Sequence, residues 1–326
     1  MAYLLAADVG GTKTLMQLSS VEGEVVANQR YVSADYQNFE QILTDFLGQL
    51  DRQYSIDVAC LAVAGPVTDK HANVTNLPWQ IEADELAATY AIGKVILCND
   101  FEAVGYGVEA LEEKDLLTLH AGQPAPGPRA LIGAGTGLGQ AYLLEQTDGW
   151  QVIATEGGHT DFAPTDRVQV RLLEHLFERF GHVSYERLVS GSGVVTIYNF
   201  LRDYLQYEED PECRLAMVKN DAANVISEFG RKGEPLAQQA MRLFFSIYGA
   251  QAGNLALTVM PKAGLYIAGG IAAKNIELLE QSEFMQAFLN KGRMQPLLEN
   301  IPVKVILQAE VGLNGARLLA AKAMYN

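Results

Sequence analysis

Leu4-Leu5-Ala6-Ala7-Asp8-Val9-Gly10-Gly11-Thr12-Lys13-Thr14-Leu15 and Ala130-Leu131-Ile132-Gly133-Ala134-Gly135-Thr136-Gly137-Leu138-Gly139-Gln140-Ala141 are the two stretches that decide the fold. Each reads as an apolar strand, a tight glycine-rich turn and a second strand. Glycine tolerates positive φ and has no side chain to block close approach, so such a turn lets backbone N–H groups converge on an anion. Two turns imply two phosphate contacts. A strand-turn-strand unit that opens both halves of a chain predicts a duplicated α/β domain with a nucleotide in the cleft between the copies, the layout of an ATP-dependent phosphotransferase.

Taken alone, each turn reads equally well as a β-hairpin whose glycines serve hairpin geometry and nothing else. The polar residues around the pair favour the ligand. Asp8 offers a carboxylate for magnesium-bound water, and Thr12 and Thr136 offer hydroxyls to phosphate oxygens. Neither turn is a Walker loop or a Rossmann fingerprint, because no Gly-Lys-Ser/Thr run follows and the chain beyond each turn continues as strand.

The chain has 326 residues, enough for two domains and a large core, and its 49% apolar and 19% charged composition is that of a globular enzyme. A formal net charge of −15, with only 24 Lys and Arg spread along the sequence, argues against nucleic-acid binding. A small anion remains compatible with that charge, because local N–H groups bind phosphate against an unfavourable global field. Cys60, Cys98 and Cys213 form no CxxC and read as buried free thiols of a reducing compartment. No histidine stands at metal-ligand spacing from a cysteine or another histidine, so no protein-held metal is expected. No apolar run reaches the roughly 18 residues of a membrane span, and Tyr3–Val9 lacks a basic n-region, so a cytoplasmic protein without membrane contact is expected.

Strands are expected at Tyr3–Asp8, Thr14–Ser19, Glu24–Arg30, Val58–Val63 and Lys94–Cys98. Phe39, Ile42, Leu43, Phe46, Leu47 and Leu50 recur at helical spacing on one face, and Glu82–Tyr90 and Phe101–Val108 read as further helices. A second half begins near residue 111, with Pro124-Ala125-Pro126-Gly127-Pro128 ahead of its first strand. There Arg129–Gly133, Gly139–Glu145 and Trp150–Ala154 are expected strands, and Val168–Phe180, Val194–Tyr207, Cys213–Phe229 and Leu236–Met260 expected helices. Lys262–Ala268 and Val303–Leu307 return to strand before a helix over Gly312–Met324. The expected domains are a small α/β unit over 1–110, completed by the C-terminal helix at about 301–326, and a large α/β unit over 111–300.

With Val63-Ala64-Gly65-Pro66-Val67, Asn76-Leu77-Pro78-Trp79, Asn99-Asp100-Phe101, Glu156-Gly157-Gly158-His159, Ser190-Gly191 and Ile267-Ala268-Gly269-Gly270-Ile271 added to the two turns, the chain resembles, end to end, the bacterial-type glucokinases. These belong to the actin-like (ribonuclease H-like) sugar-kinase and heat-shock ATPase superfold, with two domains flanking a nucleotide and sugar cleft. The branch that carries a zinc-binding Cys-x-Cys cluster has no counterpart here. Lys13, where many relatives have Asn, and Ser192, where some have Pro, depart from the pattern.

The resemblance implies D-glucose and ATP as substrates and a homodimer. Spacing leaves Asp100 open as general base or as N-cap of the following helix, and the resemblance selects the base. Asn99, Asp100, Glu156, His159 and Glu186 would bind the sugar, although spacing alone leaves Glu156 and His159 as a solvated loop and Glu186 as a surface charge. His182 reads as structural and Asp161 as a neighbour of the sugar residues. Asp8, Gly10, Gly11, Thr12 and Lys13 would meet one part of the nucleotide phosphates, Gly135, Thr136 and Gly137 another, and Gly269 and Gly270 the adenosine. Mg²⁺ would ride on the ATP phosphates, with its waters held by Asp8. A kinase for another hexose, or a sugar-sensing regulator on the same fold, is the alternative; Asp8 lies too near the N-terminus for the preceding helix-turn-helix expected of such a regulator.

Overall fold

The first expected hairpin is formed by Tyr3–Val9 (β1) and Lys13–Ser20 (β2), paired antiparallel in the computed structural model, which describes residues 2–147 and 149–325. Strand Val25–Val32 (β3) extends it on one side. Helix Phe39–Gly48 (α1) follows, its start fixed by Asn38, whose Oδ1 accepts the Gln41 N–H at 3.0 Å. Ile56–Val63 (β4) then pairs parallel with β1. Val67–Thr68 (β5), His71–Asn73 (β6) and Gln80–Glu82 (β7) make a small separate sheet that periodicity did not reveal, each being too short to show alternation. Ala83–Tyr90 (α2), Lys94–Asn99 (β8) and Asp100–Gly107 (α3) complete this part. The sheet order is β3-β2-β1-β4-β8.

The second hairpin repeats the arrangement. After Leu116–His120 (β9), Arg129–Ala134 (β10) and Leu138–Gln146 (β11) pair antiparallel, followed by Gly149–Thr155 (β12). Helices Arg167–Phe180 (α4), Gly191–Asn199 (α5), Pro211–Lys219 (α6), Ala222–Arg231 (α7) and Pro235–Val259 (α8) come next. Leu265–Ala268 (β13) pairs parallel with β10, and four short helices, Gly270–Lys274 (α9), Ile276–Glu280 (α10), Phe284–Leu289 (α11) and Gln295–Leu298 (α12), lead to Val303–Ile306 (β14) and Val311–Ala323 (α13). The order β12-β11-β10-β13-β14, with β9 added at the edge, matches β3-β2-β1-β4-β8 strand for strand. In both sheets the hairpin precedes two parallel additions, so the duplication is visible in the topology.

Contacts divide the chain into Met1–Glu112 with Trp150–Ala154 and Glu310–Asn326, and Glu113–Gly149 with Thr155–Ala309. The return to the first unit therefore comes at Glu310 and not near 301, because Val303–Ile306 is hydrogen-bonded between β13 and β9. Among the described residues no helix is long and apolar enough to cross a membrane.

Several expected elements end elsewhere. The single helix expected over Cys213–Phe229 is two, since Asn220 is extended and Asp221 caps α7 by accepting the Asn224 N–H at 2.8 Å. A short polar side chain that bonds a backbone N–H competes with a continuous helix. The helix expected over Val194–Tyr207 is α5 followed by a π-helical turn, Phe200–Tyr204. The strand expected from Lys262 starts only at Leu265, after Gly264 at φ +124°.

Alternation along β1 builds the first core on two faces. Leu5, Ala7 and Val9 pack with Phe39, Ile42 and Phe46 of α1, while Leu4 and Ala6 pack with Ala103 of α3 and Leu313, Ala316 and Ala320 of α13. Helices α3 and α13 touch backbone to backbone. A Cβ at Gly315 would lie 1.7 Å from the Ala103 carbonyl oxygen, and one at Gly107 would lie 2.1 Å from that of Val311. Helix propensity favours Gly315→Ala by about 1 kcal/mol, but overpacking at that distance costs about 1–3 kcal/mol or more. The expected result is a net fall in Tm of several degrees, at roughly 2–4 °C per kcal/mol for a domain of this size class. Thermal unfolding followed by circular dichroism checks it, and a Tm at or above the parent's contradicts the close contact.

Candidate active site

The carboxyl ends of three parallel strands set out the first unit's site. Val9 is in register with Val63, and Val63 with Asn99, so the glycine turn after β1 and Asp100 after β8 emerge on one sheet edge. Two inter-strand spacings of about 4.8 Å separate their strands by roughly 10 Å. Ligands of α/β sheets lie at such carboxyl ends.

Gly10 N–H donates to Lys13 O at 3.0 Å and closes the first turn. Ser33, which no sequence signal singled out, braces it: its Oγ donates to Gly10 O at 2.7 Å and its N–H to Thr12 O at 3.2 Å. Thr75 lies beneath, where a Cβ at Gly11 would come 2.8 Å from its carbonyl oxygen. None of Gly10, Gly11, Gly135 or Gly137 has a positive φ; of the two expected reasons for glycine, the left-handed backbone does not apply, and close approach applies at Gly10, Gly11 and Gly137, where a Cβ would come within 3.1 Å of a neighbour. Asp8 lies at the end of β1 and points at the start of α13, where a Cβ at Gly312 would be 3.5 Å from its Oδ2. Burial pushes the Asp8 pKa up, and the positive charge of Lys13 opposes that in part.

The alternative role of Asp100, capping α3, falls to Asn99. Asn99 Oδ1 accepts the Phe101 N–H at 2.9 Å and its Nδ2 donates to Gly65 O at 3.3 Å. Asp100 is the first helical residue; its Oδ1 shares the same N–H at 2.8 Å, which fixes the carboxylate's orientation. Glu102, one residue beyond Phe101, is held above the ordinary carboxylate range by burial.

In the second unit, Gly135 N–H donates to Gly137 O at 2.9 Å, and Gly191 N–H donates to Gly135 O at 2.9 Å. The turn thus sits at the start of α5, whose N-cap Ser190 accepts the Gly193 N–H at 3.1 Å and donates to Glu186 O at 2.7 Å. The positive end of that helix's dipole favours negative charge nearby. From α8, the buried Tyr248 Oη accepts the Ala134 N–H and donates to Ile132 O, both at 3.2 Å, and burial raises its pKa. Gly269, at φ +86°, begins the turn into α9, and a Cβ there would lie 2.3 Å from Ala134 O. Thr136 and Gly270 complete this set with Gly135, Gly137 and Gly269.

Glu156, His159 and Glu186 come together beside this turn. His159 Nδ1 lies 3.8 Å from Glu186 Oε1 and His159 Nε2 lies 3.8 Å from Glu156 Oε2, too far for hydrogen bonds and open to a ligand's hydroxyls. Glu186 is no free surface charge: its Oε2 accepts the Leu138 N–H at 3.0 Å. Asp161 and His182 pair with each other at 2.8 Å on exposed surface.

Among the described residues no three His, Cys, Asp or Glu side chains cluster as metal ligands. A lone carboxylate such as Asp8, beside a turn of backbone amides, fits a cation carried by a nucleotide and held through its waters.

A family model described as Glucokinase matches residues 5–323. The chain belongs to the glucokinase family. A glucokinase of Nostoc sp. strain PCC 7120 is 44% identical, covering 99% of this chain and 100% of that one, and a glucokinase of Synechocystis sp. strain PCC 6803 is 43% identical, covering 98% of each. The crystal structure of a glucokinase from an Antarctic psychrotroph superposes with a TM-score of 0.79 at 28% identity, covering 98% of this chain and 99% of that one. The fold of this glucokinase-family chain is the actin-like ATPase fold of the sugar kinases.

The raised pKa of Asp8 has a signed consequence. A carboxyl with a folded pKa above its unfolded one contributes stability present below the unfolded pKa and lost as pH rises through the folded pKa. Without nucleotide, Asp8→Asn is expected to raise Tm at pH 7, and the gain is expected to shrink as pH falls toward the ordinary carboxylate range. Paired thermal melts across that range check it; a variant less stable than the parent at pH 7 refutes it.

Proposed function

We propose that this chain transfers the γ-phosphoryl group of ATP to the C6 hydroxyl of D-glucose, with Asp100 as general base. The observation that supports this reading is the register of Val9, Val63 and Asn99, which brings a glycine-rich turn and an oriented carboxylate to one sheet edge. A sugar hydroxyl has a pKa far above neutrality, so its attack is helped by a base that takes the proton as the bond forms. The C6 oxygen forms the new bond to γ-phosphorus, the bond from that phosphorus to the bridging oxygen breaks with its electrons left on ADP, and the proton goes to the Asp100 carboxylate.

The remaining residues bind and orient. Glu156, His159 and Glu186 would take adjacent ring hydroxyls, since carboxylates accept paired hydrogen bonds and an epimer would leave one partner unsatisfied. Asn99 keeps one donor hydrogen and one lone pair beyond its bonds to Gly65 and Phe101. Gly10, Gly11, Thr12 and Lys13, and separately Gly135, Thr136 and Gly137, would meet phosphate oxygens, with Gly269 and Gly270 against the adenosine. Mg²⁺ carried by ATP would neutralise phosphate charge, its waters held by Asp8. Exclusion of water from around the bound glucose would let the sugar and not solvent be phosphorylated. Kinases for other hexoses and sugar-sensing regulators are disfavoured by the glucokinase relatives.

Asp100→Asn keeps the shape and the acceptor for Phe101 while removing basicity. Turnover is expected to fall by about 10²–10⁴-fold, with the glucose dissociation constant and Tm little changed, because Asn99 continues to cap α3. Steady-state kinetics, intrinsic fluorescence titration and a thermal melt measure the three quantities. Retention of more than about a tenth of parental turnover removes Asp100 from the role.

The homodimer implied by the family is part of the same proposal. Light scattering at micromolar concentration is expected to give twice the mass of one chain; a value near 35.5 kDa refutes it.

A further inference from the structure

Two glycines of the second turn have opposite surroundings. A Cβ at Gly135 would meet nothing within 4 Å, whereas one at Gly137 would lie 2.5 Å from Glu186 Oε2 and 3.3 Å from its carboxyl carbon. The neighbouring Leu138 is held on both sides by the sugar elements. Its N–H donates to Glu186 Oε2 at 3.0 Å, and its carbonyl oxygen would be 2.0 Å from a Cβ at Gly158. The turn and the sugar carboxylate are therefore one packed object.

We propose that Gly137 is a positioning residue for the sugar: its missing side chain lets Glu186 seat against Leu138 N–H, with Oε1 turned toward His159. This deepens the reading of Glu186 as a glucose ligand and rests on it. One oxygen of Glu186 bonds the turn and the other remains for a hydroxyl, so a shift of the turn moves the sugar's acceptor. Gly135, by contrast, leaves open space that a phosphate can enter. A side chain at 137 then acts on glucose more than on ATP, and one at 135 acts on ATP more than on glucose.

The experiment measures kcat and both KM values for Gly137→Ala, Gly135→Ala, Glu186→Ala and the double variant Gly137→Ala with Glu186→Ala. Gly137→Ala is expected to raise the glucose KM by about tenfold or more, because misplacing a positioning group by about 1 Å costs up to 10²-fold, and by a larger factor than it raises the ATP KM. Gly135→Ala is expected to show the reverse pattern. In the Glu186→Ala background the collision is gone, so Gly137→Ala is expected to add little, a non-additivity that contact predicts. A Gly137→Ala variant that raises the ATP KM and spares the glucose KM overturns the proposal, as does an equal effect in both backgrounds. If Gly137→Ala alone fails to fold, recovery of folded protein in the Glu186→Ala background supports the collision, and failure there overturns it. Glu186→Ala with an unchanged glucose KM sinks the reading of Glu186 itself; Glu186→Ala that raises it, with Gly137→Ala silent, sinks only this inference.

Discussion

Backbone amides can gather on an anion only where nothing intrudes between them and the ligand, and a tight turn between two strands of a rigid sheet supplies that geometry without flexible side chains. In this chain the requirement is met twice, at Gly10–Lys13 and at Gly135–Gly137, each time at the closed end of an antiparallel hairpin. Parallel pairing then places β4 beside β1 and β8 beside β4, so the polar residues that end β8 emerge on the same sheet edge as the first turn. The same device brings Gly269 against Ala134 in the second unit. The site follows from where parallel strands end.

Close approach to a bare backbone is the second constraint, and glycine is its instrument. Gly11 lies over Thr75, Gly137 over Glu186, Gly158 over Leu138 and Gly315 over Ala103. In each case a single Cβ would enter the space of another group. Helices α3 and α13 meet this way, and α3 carries Asp100 at its first position, so the seat of a C-terminal helix bears on the orientation of the candidate base.

A chain with formal net charge −15 binds an anionic nucleotide only if the local field opposes the global one. In the proposed reading the amides of each turn and the Lys13 ammonium would supply that local field, and burial raises the cost of the Asp8 charge. Glu156, His159 and Glu186 lie together beyond the second turn, where the proposed reading has them accept from the neutral hydroxyls of the sugar.

The hairpin turns, the carboxylate after β8 and most helices were legible in the sequence because strand, turn and helix patterns are local and repeat at periods of 2 and 3.6. The same local logic marked Cys213–Phe229 as one helix, where a capping Asp221 makes two, and offered tolerance of positive φ as one reason for turn glycines that have none. Family likeness singled out Glu186, but its bond to Leu138 N–H links positions 48 residues apart, and the brace from Ser33 to Gly10 spans 23. No window of sequence holds both ends of such a contact. Composition and periodicity determined which segments become strands and where the glycine turns stand; the register of parallel strands and the absence of a Cβ at each crossing, which depend on distant segments meeting in space, decided which residues share a site.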